Sequence, residues 1–230
     1  MLWLKAWLET RWKMVWMVLM CVLAFGAPLA VFSSGPIHHP QQLMLVLLPI
    51  SVVLCFITAI TLAGSGIQTA LLRPGGSEKG GEGSTLFTLS LPVTRIRLFA
   101  VRTVIGVLET LALLTLFSFV IPRLAMNADV GLGYFAVIVS SSLAVYAISA
   151  CISTFCDEGW RYRGSVVIVA LLFVLATAGK VPRPINIFRG IGVPLPLVAQ
   201  QIPWLAIATP CILALLFFGA ALLIIRRRDY

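Results

Sequence analysis

Glu109 is a carboxylate set in the otherwise apolar stretch LETLALLTLFSFVI. An ionisable group in such a stretch is costly unless a partner or a pathway offsets it. Two roles are open: it lines a substrate or proton path, or it joins two helices, neutral or hydrogen-bonded, through a serine or threonine. The other residues capable of chemistry are scattered. His38 and His39 are adjacent and cannot both point at one metal from a helix. Cys21, Cys55, Cys151, Cys156 and Cys211 are odd in number and lack the paired spacing of a zinc site or a disulfide framework. They read as small apolar residues of the core. No H-E-x-x-H run occurs, no nucleophile and histidine share an apolar stretch, and no G-x-x-x-x-G-K-[ST] run is present. The chain is therefore expected to hold no catalytic residue, no metal and no cofactor of its own.

The elements that position Glu109 follow from composition. Of 230 residues, 60% are apolar and 11% charged, against about 25% charged in soluble domains. Runs such as LMLVLLPISVVLCFITAITLAG are apolar on every face, which fits helices and not the period of two of a membrane barrel. The reading is an all-α polytopic membrane protein, one transmembrane domain over residues 1–230, with spans at about 14–32, 43–72, 98–121, 132–155, 164–178 and 204–225. The first span follows Lys5, Arg11 and Lys13 but is longer than the roughly 7–15 apolar residues of a secretory signal, so it is expected to be retained. Residues 1–13 place Leu4, Trp7, Leu8, Arg11 and Trp12 at helical spacing. With Trp3, Trp7 and Trp12 favouring the headgroup boundary, they predict an interfacial helix, the alternative being an extension of the first span. The second span, at about 45 Å, projects beyond the bilayer until RPGGSEKGGEG breaks it. Ala136, Ser140 and Ala144 form a seam of small residues on span four, within the subunit or across a dimer.

The formal net charge is +9, yet the cations flank the spans and no soluble domain is legible to hold a duplex. Anionic membrane lipids are the simpler partner, and no nucleic acid is expected. With both termini on the cytoplasmic side, thirteen of the seventeen Lys and Arg lie inside and four outside, which obeys the positive-inside bias. The outer stretch KVPRPINIFRGIGVPLPLVAQQIP carries three of those four cations and five prolines. It predicts short, broken, re-entrant helices, as a gate or as a passive cap.

On the inner side, between spans two and three, lies GSTLFTLSLPVTRIRLFAVR. Leu86, Phe87, Leu89 and Leu91 oppose Thr85, Thr88 and Ser90, and Pro92 ends the helix, leaving an amphipathic turn too short to be stable alone. The run Glu82 to Leu86, then Leu89, Ser90, Leu91, Pro92, Val93, Thr94, Arg95, Arg97 and Leu98, resembles the membrane subunits of ABC-2 type (ABC exporter) transporters. Their equivalent reads roughly E-x-G-T-L-x-x-L-L-S-L-P-V-S-R-x-R-L, and the closing RRRDY and the six-span layout are also similar. Ser84 and Thr94 stand where that pattern has glycine and serine, Phe87 and Thr88 replace other residues of the turn, and the amino-terminal helix is unusually rich in tryptophan.

The resemblance implies that residues 84–92 form a short cytoplasmic coupling helix. Glu82, Thr85, Leu86, Phe87, Leu89, Ser90, Leu91, Pro92 and Arg95 would contact a separate cytosolic ABC ATPase subunit that binds ATP and Mg. It further implies a second copy or paralogue of the permease, export of a substrate, and the bacterial cytoplasmic (inner) membrane. A helix-in-groove contact would use the apolar anchors, and Arg95 to Arg102 would carry the movement into span three. By spacing alone the segment could equally lie on headgroups, with Arg95, Arg97 and Arg102 snorkelling. Two other classes stand beside this one: an ion-coupled secondary transporter using Glu109, and a non-transporting anchor for a cytosolic ATPase.

Overall fold

Apolar runs with no water to satisfy their backbone must close their own hydrogen bonds, and here they do so as helices. The computed structural model describes residues 2–34, 40–63, 94–120, 132–156, 158–180, 182, 186–188 and 204–227. Among these there are six helices and no strand: α1 (Leu2–Ser34), α2 (Pro40–Leu62), α3 (Arg95–Thr115), α4 (Leu132–Ser153), α5 (Glu158–Thr177) and α6 (Trp204–Arg227). A π-helical turn, Leu116–Val120, prolongs α3. Three helical stretches, Ile96–Val120, Leu132–Ser153 and Trp204–Arg227, are long and apolar enough to cross a membrane. Their outward faces carry residues such as Leu108, Leu132 and Leu215, which a soluble protein would cover.

Contacts at two depths fix the directions of the helices. Tyr146 meets Thr103 and Phe119 meets Phe135, so α4 runs against α3, and Ser149 meets Ser165 only sixteen residues later, so α5 turns back along α4. Tyr146 packs on Phe218, and Cys151 clusters with Ala221 and Ile225, so α4 and α6 run together. One end of the bundle, termed lower, therefore holds the start of α1 and the end of α6. The upper end holds the start of α4.

Helix α4 is the hub, packing against α6, α2, α5 and α3. Ser140 and Ala144 are buried and Ala136 is half-buried, so the small-residue seam is used inside this chain. In lipid the gain comes from close approach and dispersion, since the solvent is as apolar as the side chains.

Several boundaries differ from those read in the sequence. Residues 1–13 and 14–32 do not form two pieces, because α1 is continuous from Leu2 to Ser34. No glycine or proline lies near residue 13 to interrupt it. Helix α3 starts three residues early because Thr94 caps it, its Oγ1 accepting from the Arg97 N–H at 3.4 Å. Helix α5 starts at Glu158 and not at Gly164, so Trp160, Arg161 and Arg163 lie within it. Helix α4 ends at Ser153, with Thr154 and Phe155 already in a turn. Helix α6 runs two residues further and ends on Arg226 and Arg227, where cations suit the carboxyl end of the dipole. Helix α2 ends at Leu62, and the expected continuation to 72 and the coupling segment 84–92 lie outside the described residues.

Helix α1 is also not parallel to α3. Its Thr10 meets Glu109 and its Phe25 stacks near Phe117, so fifteen residues on one helix correspond to eight on the other. About 22 Å of α1 thus covers about 12 Å of α3. The lower part of α1 leans or curves across the bundle.

Candidate functional site

Glu109 is buried on α3, and its Oε1 accepts a hydrogen bond from Thr10 Oγ1 of α1 at 2.6 Å. Thr10 Oγ1 also lies 3.2 Å from the Trp7 carbonyl one turn earlier. A threonine hydroxyl has a single hydrogen and can serve these two acceptors only in turn. Oε2 of Glu109 is buried without a hydrogen-bond partner among the described residues. Of the two roles the sequence leaves open, the observed contact is the helix-joining one, and the bond links residues ninety-nine apart in the chain.

One turn below Glu109, α3 comes close to two other helices at Gly106. A Cβ there would collide with the Tyr146 hydroxyl of α4 and come within 3.1 Å of the Leu62 carbonyl oxygen of α2. The space glycine leaves is what lets Tyr146 reach across and donate to the Thr103 carbonyl at 3.2 Å. Thr110 donates back to the Gly106 carbonyl at 2.7 Å, within α3.

The arginines sharpen the picture. Arg102 of α3 is buried, and Arg161 of α5 is fully buried, although the sequence places it in an inner loop segment. The Arg161 guanidinium lies 4.3 Å from the Tyr162 ring centroid, a cation–π distance. The Tyr162 hydroxyl in turn donates to the Thr61 carbonyl of α2 at 3.3 Å, and Ser165 Oγ pairs with Ser149 Oγ at 3.0 Å between α5 and α4. The lower half of the bundle therefore buries one carboxylate and two guanidiniums among polar bonds that tie α1, α2, α3, α4 and α5. Such groups cannot move far without exchanging partners, so the arrangement makes a joint between helices; among its residues no serine or threonine is paired with a histidine.

The other residues singled out in the sequence fall apart from this centre. Trp3, Trp7, Arg11 and Trp12 are exposed on α1, with Arg11 stacked 5.9 Å from the Trp12 ring. Arg95 opens α3. Glu82, Thr85, Leu86, Phe87, Leu89, Ser90, Leu91 and Pro92 lie outside the described residues, as do His38 and His39. The five cysteines are free. Sequence reasoning missed Thr10, Gly106, Tyr146 and Arg161. The single signal for the first pair was that Thr10 is the lone threonine of α1 and Gly106 the lone glycine of α3.

At the upper end, part of the proline-rich stretch turns back into the bundle. Ile187 and Phe188 are buried, and the Ile187 carbonyl accepts from Ser141 Oγ at 2.7 Å. Ser141 lies nine residues into α4, about 13 Å below its upper end, so this segment is re-entrant. The Phe188 ring stands edge-on to Phe56 of α2 at 5.4 Å and to Phe173 of α5 at 5.3 Å. Its N–H donates to Asn186 Oδ1 at 2.9 Å, satisfying a backbone group that no helix serves.

No family model, no curated protein and no solved structure matches this chain.

Proposed function

We propose that the chain is the transmembrane subunit of an ATP-driven ABC-2 type exporter, moved by a separate ATPase that docks on residues 84–92. The observation that carries this reading is the position of α3. It begins at the Thr94 cap, immediately after the segment that resembles a coupling helix, and it is bonded to α1 through Glu109 and to α4 through Tyr146. A push delivered below Thr94 would enter a capped helix and reach two neighbours through polar contacts, instead of being lost in a pliable loop.

In this reading α1, α2 and α5 also cross the bilayer, giving six spans with both termini cytoplasmic, and the lower end faces the cytoplasm. The thirteen-to-four distribution of Lys and Arg supports that orientation. The leaning start of α1 carries Trp3, Trp7 and Trp12 to the headgroup boundary. ATP and Mg would be bound by the partner chain, and a second copy or paralogue would complete the pathway by cyclic symmetry. The substrate is exported from a bacterial cytoplasm.

The test is to purify the tagged chain from its native membrane. The expected result is a co-purifying ATPase whose hydrolysis depends on this subunit, and whose association Leu89→Asp abolishes while the chain remains inserted. Association unchanged in Leu89→Asp would remove the docking claim. Substrate movement by the purified chain alone, driven by a proton gradient and stopped by Glu109→Gln, would replace the exporter with an ion-coupled carrier. An associated ATPase without any transport would leave a membrane anchor.

A further inference from the structure

Between α2 and α5 the surface carries a groove of about 460 Å³ whose lining is wholly apolar. Val53, Ile57 and Ile60 form one wall, and Val166, Ala170 and Phe173 the other. The groove has a structural cause. Phe188 is wedged between Phe56 and Phe173, both of which line it, and so holds the two helices apart. Toward the lower end, the bond from Tyr162 to Thr61 draws the same helices together.

The lower mouth is marked by charge and by an aromatic ring. Arg163 is exposed and stands seven residues before Ala170, on the same strip of α5. Trp160, one turn lower, is 66% exposed, as a tryptophan at the headgroup boundary would be. From Arg163 to Phe173 is about 15 Å along the helix, half of a hydrocarbon core of about 30 Å. The groove therefore spans the depth of one leaflet and ends at a cation.

We propose that this groove seats an acyl chain of an anionic phospholipid from the leaflet on the lower side, with its headgroup phosphate on Arg163. The formal net charge of +9 and the position of Arg163 select an anionic headgroup over a zwitterionic one. The proposal requires the chain to lie in a bilayer and is independent of the ATPase reading.

The full chain, reconstituted into vesicles of equal phosphatidylglycerol and phosphatidylcholine, is tested with the photoreactive residue benzoylphenylalanine in place of Ile57, and with a control in place of Leu215 on α6. Mass spectrometry of the adducts is expected to show phosphatidylglycerol favoured about fivefold at position 57, the ratio one basic residue near an anionic surface produces, and no preference at 215. Arg163→Gln should return position 57 to parity, and Arg163→Lys should retain the preference. Parity at position 57 in the otherwise unaltered chain, a preference that survives Arg163→Gln, or a cross-link to a second copy as the main product would each overturn the proposal.

Discussion

The lower and upper halves of this bundle are held together by different physics. Below, α1 to α5 are tied by individually placed polar groups: Glu109 with Thr10, Tyr146 with the Thr103 carbonyl, Ser165 with Ser149, and Tyr162 with the Thr61 carbonyl. Above, the described contacts are mostly rings, with Phe188 between Phe56 and Phe173, Phe25 near Phe117, and Phe119 near Phe135. A hydrogen bond between helices fixes register and direction. Ring packing fixes volume and tolerates small shifts. The half built of directional bonds is the one into which α3 enters from the proposed coupling segment. The half built of rings can adjust its shape around a substrate or a lipid. In the proposed exporter the two halves would serve as a stiff input and a compliant output.

The largest effect is expected at the tight approach of α3 to α4 and α2. Gly106→Leu should destabilise the bundle by about 3 kcal/mol, the upper part of the usual overpacking range, because even a Cβ there meets Tyr146. Thermal unfolding in detergent checks this, and Gly106→Ala should already show part of the loss. Next comes Phe188→Ala, which removes two edge-on ring pairs at about 0.5–1.5 kcal/mol each. Phe188→Leu should recover most of it, since the upper half asks for volume. If Phe188→Leu were as damaging as Phe188→Ala, the contrast between the halves would fail.

A smaller effect is expected from Glu109→Leu, at about 1 kcal/mol for a hydrogen bond between membrane helices. Glu109→Gln should restore the link, because a Gln amide can donate to Thr10 Oγ1 while Thr10 donates to the Trp7 carbonyl. Cross-linking rates between cysteines placed on α1 and α3 would report it. The smallest is Ser165→Ala, at about 0.6 kcal/mol by the same comparison. Additivity with Glu109→Leu would indicate two separate ties, and coupling a single network.

Much of the architecture was legible in the sequence. The apolar runs at 98–121, 132–155 and 204–225 could only be helices, and of the proline-rich stretch after α5 the described residues 186–188 form a turn that reaches into the bundle, while 189–203 lie outside the described residues. The candidate site was less legible. Arg161 reads as a loop charge when a span is started at Gly164, because a hydropathy pattern begins where the grease begins, while the helix begins at Glu158 where its backbone bonds begin. Residues 1–13 read as a separate interfacial piece by their tryptophans, and nothing in their pattern tells whether the helix stops before Met14.

The sequence by itself determined that this chain lies in a membrane as helices, that Glu109 must be accommodated inside it, and that its cations gather near the ends of its apolar runs. Those are consequences of transfer energies and of backbone bonding, which depend on local composition. Tertiary structure alone decided that Thr10 is the partner of Glu109, that Gly106 makes room for Tyr146, that Arg161 is fully buried, and that Phe188 holds α2 and α5 apart. Each of these joins residues far apart in the chain, and which ones meet is set by helix tilt and close packing, for which periodicity along a single helix carries no information.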